Sequence, residues 1–122
     1  MTVDHLEAVH DALARFWSLL DDMPDQRWRL LFETAVAEVA ANIVEHAEPP
    51  YFTMRIRMGS DCVIAEFTDS GKGWAGPTGP AAILDDLSAE RGRGLTLAGT
   101  AVDEVAYERQ GLVNRWRLTK NL

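Results

Sequence analysis

The chain has 122 residues, 47% of them apolar and 25% charged, the size and mix of one compact domain with a sizeable core and no room for a second. Nineteen acidic residues against twelve basic ones give a formal charge of −7, which argues against general nucleic-acid binding and against a polybasic membrane anchor. A single cysteine, Cys62, leaves no internal disulfide, no stretch approaches the roughly 20 apolar residues of a membrane span, and the acidic, amphipathic start does not resemble a signal peptide, so a cytoplasmic domain is expected.

In chain order, Leu6, Val9, Leu13, Phe16, Trp17 and Leu20 recur at helical spacing and predict a helix from about Asp4 to Leu20. Asp22-Met-Pro24-Asp25 breaks it. A second helix is expected from Pro24, placed in its first turn, to His46, where Pro49-Pro50 forbids continuation. The period then changes to two. Phe52, Met54, Ile56 and Met58 alternate against Thr53, Arg55 and Arg57. After a Gly59-Ser60-Asp61 turn, Val63, Ala65 and Phe67 mark one face of a second strand, Cys62 to Thr68. From Asp69 to Gly94 the chain is rich in Gly and Pro. A third helix is predicted from Gly94 to about Val102, then a hairpin of Val102 to Arg109 and Leu112 to Thr119 about Gln110-Gly111. This order predicts an α+β fold, a two-layer α/β sandwich whose mostly antiparallel sheet carries its helices on one face.

Three stretches carry candidate chemistry. In the second helix, a wheel with Glu38 at zero puts Asn42 near about 40° and His46 near about 80°, at the edge of the apolar stripe and away from an expected solvated side of Arg29, Glu33 and Ala37. Polar groups tucked against a core are costly unless they bind something. The plainer alternative is that Glu38 and Asn42 bridge neighbouring backbone, with His46 answering the helix dipole. The second stretch, Asp69-Ser-Gly71-Lys-Gly73-Trp74, follows a strand. Its Asp can accept from an exocyclic amine and its glycines permit close backbone approach, but Asp-Ser-Gly is also ordinary turn chemistry. The third, Arg91-Gly92-Arg93-Gly94-Leu95, opens a helix with free N–H groups suited to phosphate, or else forms a flexible entrance with solvated arginines. It lacks the Lys-Ser/Thr pair of a P-loop.

Together, Glu-x-x-x-Asn-x-x-x-His on a helix, Asp-x-Gly-x-Gly after a strand and Gly-Arg-Gly-Leu at a helix start resemble the GHKL ATPases, which share the Bergerat ATP-binding fold. The short chain and the run from Gly92 through Thr96, Thr100 and Val105 look most like the anti-sigma factor serine/threonine kinases of bacterial partner switching. The resemblance spans roughly Leu6 to Thr119 and implies ATP and Mg²⁺ as cofactors. It implies Asn42 as the Mg²⁺ ligand, Glu38 as general base for the attacking hydroxyl, and Asp69 as reader of the adenine amino group. Gly71 and Gly73 would give room to the base, Gly92 and Gly94 would lie against the phosphates, and Arg91 or Arg93 would contact the γ-phosphate. Residues 75–90 would form the lid.

The implied partners are a sigma factor and an anti-sigma factor antagonist, phosphorylated on Ser or Thr. A nucleotide-gated binding module without kinase activity and a stand-alone histidine-kinase catalytic domain are the alternatives. The chain departs from the family in Trp74, which replaces a common Phe, and in the Gly76, Pro77, Gly79 and Pro80 of its lid. It has no phosphoacceptor-histidine unit, His5 and His10 reading as helix-surface residues. The sequence also starts almost at the first helix, where related kinases begin with a strand. The sheet is therefore expected to lack that edge strand, which puts in doubt the family's usual homodimer, still a possible assembly.

Overall fold

The computed structural model describes residues 3–47, 52–73 and 98–122, with backbone alone at 3–6 and 46–47. Helix α1 spans Val3–Ser18 and helix α2 spans Gln26–Asn42. Strands β1 (Phe52–Met58), β2 (Cys62–Asp69), β3 (Glu104–Gln110) and β4 (Val113–Asn121) form one antiparallel sheet in the order β1-β2-β4-β3. The α+β two-layer sandwich expected from the sequence is therefore the architecture found.

Alternation in the strands decides which face is buried. Val63, Ala65, Phe67 and Asp69 point inward from β2, and Asn114, Trp116 and Leu118 from β4. Val105 joins them from β3, and the helices close the core with Val9, Leu13 and Trp17 of α1 and Phe32, Ala35, Val36 and Val39 of α2. The outer sheet face is polar. Arg57 meets Glu66 at 3.3 Å and Arg117 meets Glu104 at 3.4 Å there, exposed pairs of small energetic weight.

Helix α2 is anchored at its start. Asp25, not Pro24, caps it: its side chain accepts the Trp28 N–H at 2.9 Å, so Pro24 lies before the helix rather than in its first turn. The Trp28 ring stacks on Phe32, with centroids 5.5 Å apart, and its Nε1 donates to the Asn121 carbonyl at 2.8 Å. Lys120 lies over the same ring and donates to the Ala101 carbonyl, which ends the helical residues 98–101.

Two expectations about α2 are corrected. The face of Arg29, Glu33 and Ala37 is half-buried rather than solvated, because α1 packs on α2 and Trp17 Nε1 donates to Glu33 at 2.7 Å. The solvated side runs instead through Leu30 and Thr34. The α-helix also stops at Asn42 and continues as a π-helical turn, Ile43–Ala47. Its i→i+5 bonding advances less per residue than an α-helix, so the wheel angle for His46 does not hold. The side chain of His46 lies outside the described residues.

Candidate nucleotide site

The topology sets three polar residues in a row. Asp69 closes β2 and pairs with Asn114 at the start of β4, and Asn114 pairs on its other side with Arg109 of β3. Both Asp69 and Asn114 continue the inward alternation of their strands, so each is buried, at 4% and 1% exposure. Two buried polar groups on neighbouring central strands are stable only if hydrogen-bonded.

Asn114 is the hub. Its Nδ2 faces Asp69 Oδ1 at 2.9 Å and the carbonyls of Gly71 at 3.2 Å and Lys72 at 2.9 Å. Its Oδ1 accepts from the Tyr107 hydroxyl and from the Arg109 guanidinium, each at 2.7 Å. Arg109 also donates to the Gly71 carbonyl at 2.9 Å. The segment Asp69–Gly73 is thus fastened to β3 and β4, and a Cβ on Gly73 would meet Arg109 Cδ at 3.1 Å.

Asp69 Oδ1 has two donors, Asn114 Nδ2 and the Gly71 N–H at 2.8 Å. The latter closes an Asx-turn, so the turn reading of Asp-Ser-Gly is realised in one oxygen of the carboxylate. The other oxygen, Oδ2, is buried without a hydrogen-bond partner among the described residues. Leaving a buried acceptor unsatisfied costs on the order of 1–3 kcal/mol, more for a charged group, and a ligand N–H would remove that cost.

Glu38 and Asn42 stand one turn apart on α2, Glu38 half-buried and Asn42 at 7% exposure. Among the described residues no side-chain hydrogen bond engages either of them, so the alternative of a backbone bridge finds no partner there. Their level in the sandwich follows from element geometry. Trp28 sits at Asn121, and α2 packs along β4. From Trp28 to Asn42 the helix rises about 21 Å at ~1.5 Å per residue. From Asn121 back to Asn114 the strand covers about 23 Å at ~3.3 Å per residue. Asn42 therefore comes to the same end of the two layers as Asn114 and Asp69.

No group of three or more His, Cys, Asp or Glu side chains suited to a metal occurs among the described residues. A buried side-chain amide with no partner among the described residues fits a hard cation that takes most of its oxygens from phosphates and water, as Mg²⁺ does. Arg91, Gly92, Arg93 and Gly94, together with Trp74 and the lid at 75–90, lie outside the described residues. A hollow of about 430 Å³ on the α1/α2 seam, lined by His10, Trp17, Met23, Arg29 and Glu33, is separate from the Asp69 group.

The sequence reading missed Asn114, Tyr107 and Arg109. Asn114 had a signal: it occupies the inward phase set by Trp116 and Leu118, where an apolar residue is expected. Tyr107 and Arg109 had none: the predicted hairpin sets β3 beside β4, but nothing local marks which β3 side chains reach the Asn114 amide.

An antiparallel sheet backed by two helices, with an inward acid at the end of a central strand, is consistent with the GHKL ATPase fold. The chain belongs to the histidine kinase-like ATPase domain family, which it matches over residues 1–120. Among solved structures it is similar to the histidine kinase AdeS of Acinetobacter baumannii, with a TM-score of 0.57 and 13% identity, across 96% of this chain and 64% of that one. That likeness is one of fold. No curated protein matches the chain. Family membership implies ATP binding, and no helix among the described residues is long and apolar enough to cross a membrane.

Proposed function

We propose that the protein is an ATP-dependent serine/threonine kinase of the anti-sigma regulatory type, acting in the cytoplasm on an anti-sigma factor antagonist and sequestering a sigma factor. The observation that carries the nucleotide site is the buried, unpartnered Oδ2 of Asp69, held in place through Oδ1. It accepts the adenine amino group, while Gly71 and Gly73 leave space beside the base. Asn42 holds Mg²⁺, which when bound neutralises phosphate charge. Gly92 and Gly94 lie against the phosphates, with Arg91 or Arg93 at the γ-phosphate and residues 75–90 as the lid.

Glu38 separates a kinase from a binding-only module. Its carboxylate is half-buried one turn before Asn42, with no side-chain partner among the described residues. In transfer it takes the proton of the substrate hydroxyl as that oxygen bonds to the γ-phosphorus. The bond from the γ-phosphorus to the β,γ-bridging oxygen breaks, and ADP departs. Such a reaction needs chiefly positioning and charge neutralisation, which suits a site this sparse.

The test uses the full chain, labelled ATP and a candidate antagonist from the same organism. Acid-stable label on a Ser or Thr of the antagonist is expected, with Glu38→Gln retaining ATP binding and losing transfer. Undiminished transfer by that variant overturns the role of Glu38. Acid-labile label would identify a histidine-kinase catalytic domain instead, and ATP binding that changes antagonist affinity without any label would identify a nucleotide-gated module.

A further inference from the structure

Asn114 does more than bury an amide. We propose that Asn114 is the positioning residue that sets base preference at this site, by fixing the place and the hydrogen-bonding sense of the one Asp69 oxygen left for a ligand. The proposal rests on the reading of Asp69 as the base-binding residue.

The orientation of the Asn114 amide is dictated by its surroundings. Two donors, the Tyr107 hydroxyl and the Arg109 guanidinium, converge on Oδ1. Three acceptors, Asp69 Oδ1 and the Gly71 and Lys72 carbonyls, surround Nδ2. A flipped amide would face its oxygen toward three acceptors and its NH₂ toward two donors, so one orientation satisfies every group. Because Tyr107 and Arg109 sit on β3, the sheet itself holds the amide.

That orientation passes to Asp69. With the Asn114 N–H and the Gly71 N–H both on Oδ1, the carboxylate plane is set and Oδ2 stands alone in a buried position. An ionised carboxylate only accepts, so whatever meets Oδ2 must bring a hydrogen. A 6-amino purine does. A 6-oxo purine brings an acceptor and leaves two buried acceptors opposed, the kind of mismatch by which polar sites reject analogues. The same amide holds the Gly71 and Lys72 carbonyls, so the loop beside the base cannot shift to accommodate the wrong one without breaking the network.

The arrangement makes a polarity reversal the sharpest test. In Asp69→Asn, the two donors at the Oδ1 position still require an acceptor, so the new amide must place its oxygen there. Its NH₂ then occupies the Oδ2 position and donates. Dissociation constants for ATP and inosine triphosphate, both with Mg²⁺, are to be measured by calorimetry on the full chain. Wild type is expected to prefer ATP by at least about tenfold, and Asp69→Asn to prefer inosine triphosphate. Asn114→Ala should bring the two constants of wild type within about threefold of each other. In the Asp69→Asn background it should likewise abolish the reversal.

A merely structural Asn114 would weaken both nucleotides alike and leave their ratio intact, and that result overturns the proposal. So does Asp69→Asn with an undiminished preference for ATP. If Asn114→Ala does not fold, Tyr107→Phe, which keeps the Arg109 donor, is expected to reduce the ratio part way, and an unchanged ratio counts against the proposal. Failure of wild type to bind either nucleotide would remove the reading of Asp69 beneath it. Binding with the ATP preference intact in Asn114→Ala removes only the role of Asn114.

Discussion

The Asn114 amide donates to Asp69 Oδ1 at 2.9 Å across 45 residues of sequence, tying the end of β2 to the start of β4. The two residues are also register partners, so backbone pairing and side-chain bond reinforce each other. Asn114→Ala leaves Asp69 Oδ1 with one donor and strips Tyr107 and Arg109 of a shared acceptor. A loss of about 2–3 kcal/mol is expected. In a chain of this length that lowers the melting temperature by about 10 °C. A melting curve within measurement error of wild type would show that this amide does not hold the strands.

Gly73 and Arg109 form a second coupled pair. An added Cβ at Gly73 would crowd Arg109 Cδ at 3.1 Å, and that side chain is held at its tip by the Gly71 carbonyl and Asn114. Gly73→Ala alone should therefore destabilise by about 0.5–1.5 kcal/mol. In an Arg109→Ala background the same change should be neutral or stabilising, since the crowding is gone and the unfolded chain loses freedom. A double-mutant cycle in denaturant measures the coupling, and additive effects would contradict the contact.

Asn42 presents a conflict between stability and function. It is 7% exposed, yet no described residue bonds its side chain. Asn42→Leu should leave the ligand-free protein as stable as wild type or more so, by up to about 1 kcal/mol, since an apolar group of similar size sits more cheaply there. Mg²⁺-dependent nucleotide binding should be lost. Chemical denaturation and calorimetry on one preparation check both halves.

The cap of α2 offers a control remote from the site. Asp25→Ala removes the acceptor of the Trp28 N–H and should cost about 1 kcal/mol, with Asp25→Asn restoring most of it. Neither change should alter the ratio of ATP to inosine triphosphate affinity. A shift in that ratio would mean that the helix end and the site are coupled through α2.

Much of this fold was legible because its elements follow two periods. The apolar spacing from Val9 to Trp17 and the alternation through Val63, Ala65 and Phe67 mark faces that one sheet and two helices can bury together. The place of β4 between β2 and β3 was not legible, since it depends on how the chain crosses from Asp69 to Glu104 rather than on any local pattern. Asp69 could therefore be found in the sequence without its bond to Asn114, which needs β4 beside β2, even though the predicted hairpin already set Arg109 opposite Asn114. The π-helical turn after Asn42 likewise has no local signature in Ile43–Ala47.

The most direct test of the nucleotide site is an amide correlation spectrum of the labelled full chain, recorded with and without ATP and Mg²⁺. The account predicts the largest shifts at the Gly71 N–H, the side-chain amides of Asn114 and Asn42, and the residues beside them. Binding whose largest shifts fall on Arg115, Arg117 and Glu66 of the outer sheet face, with Gly71 and Asn114 unmoved, would contradict it.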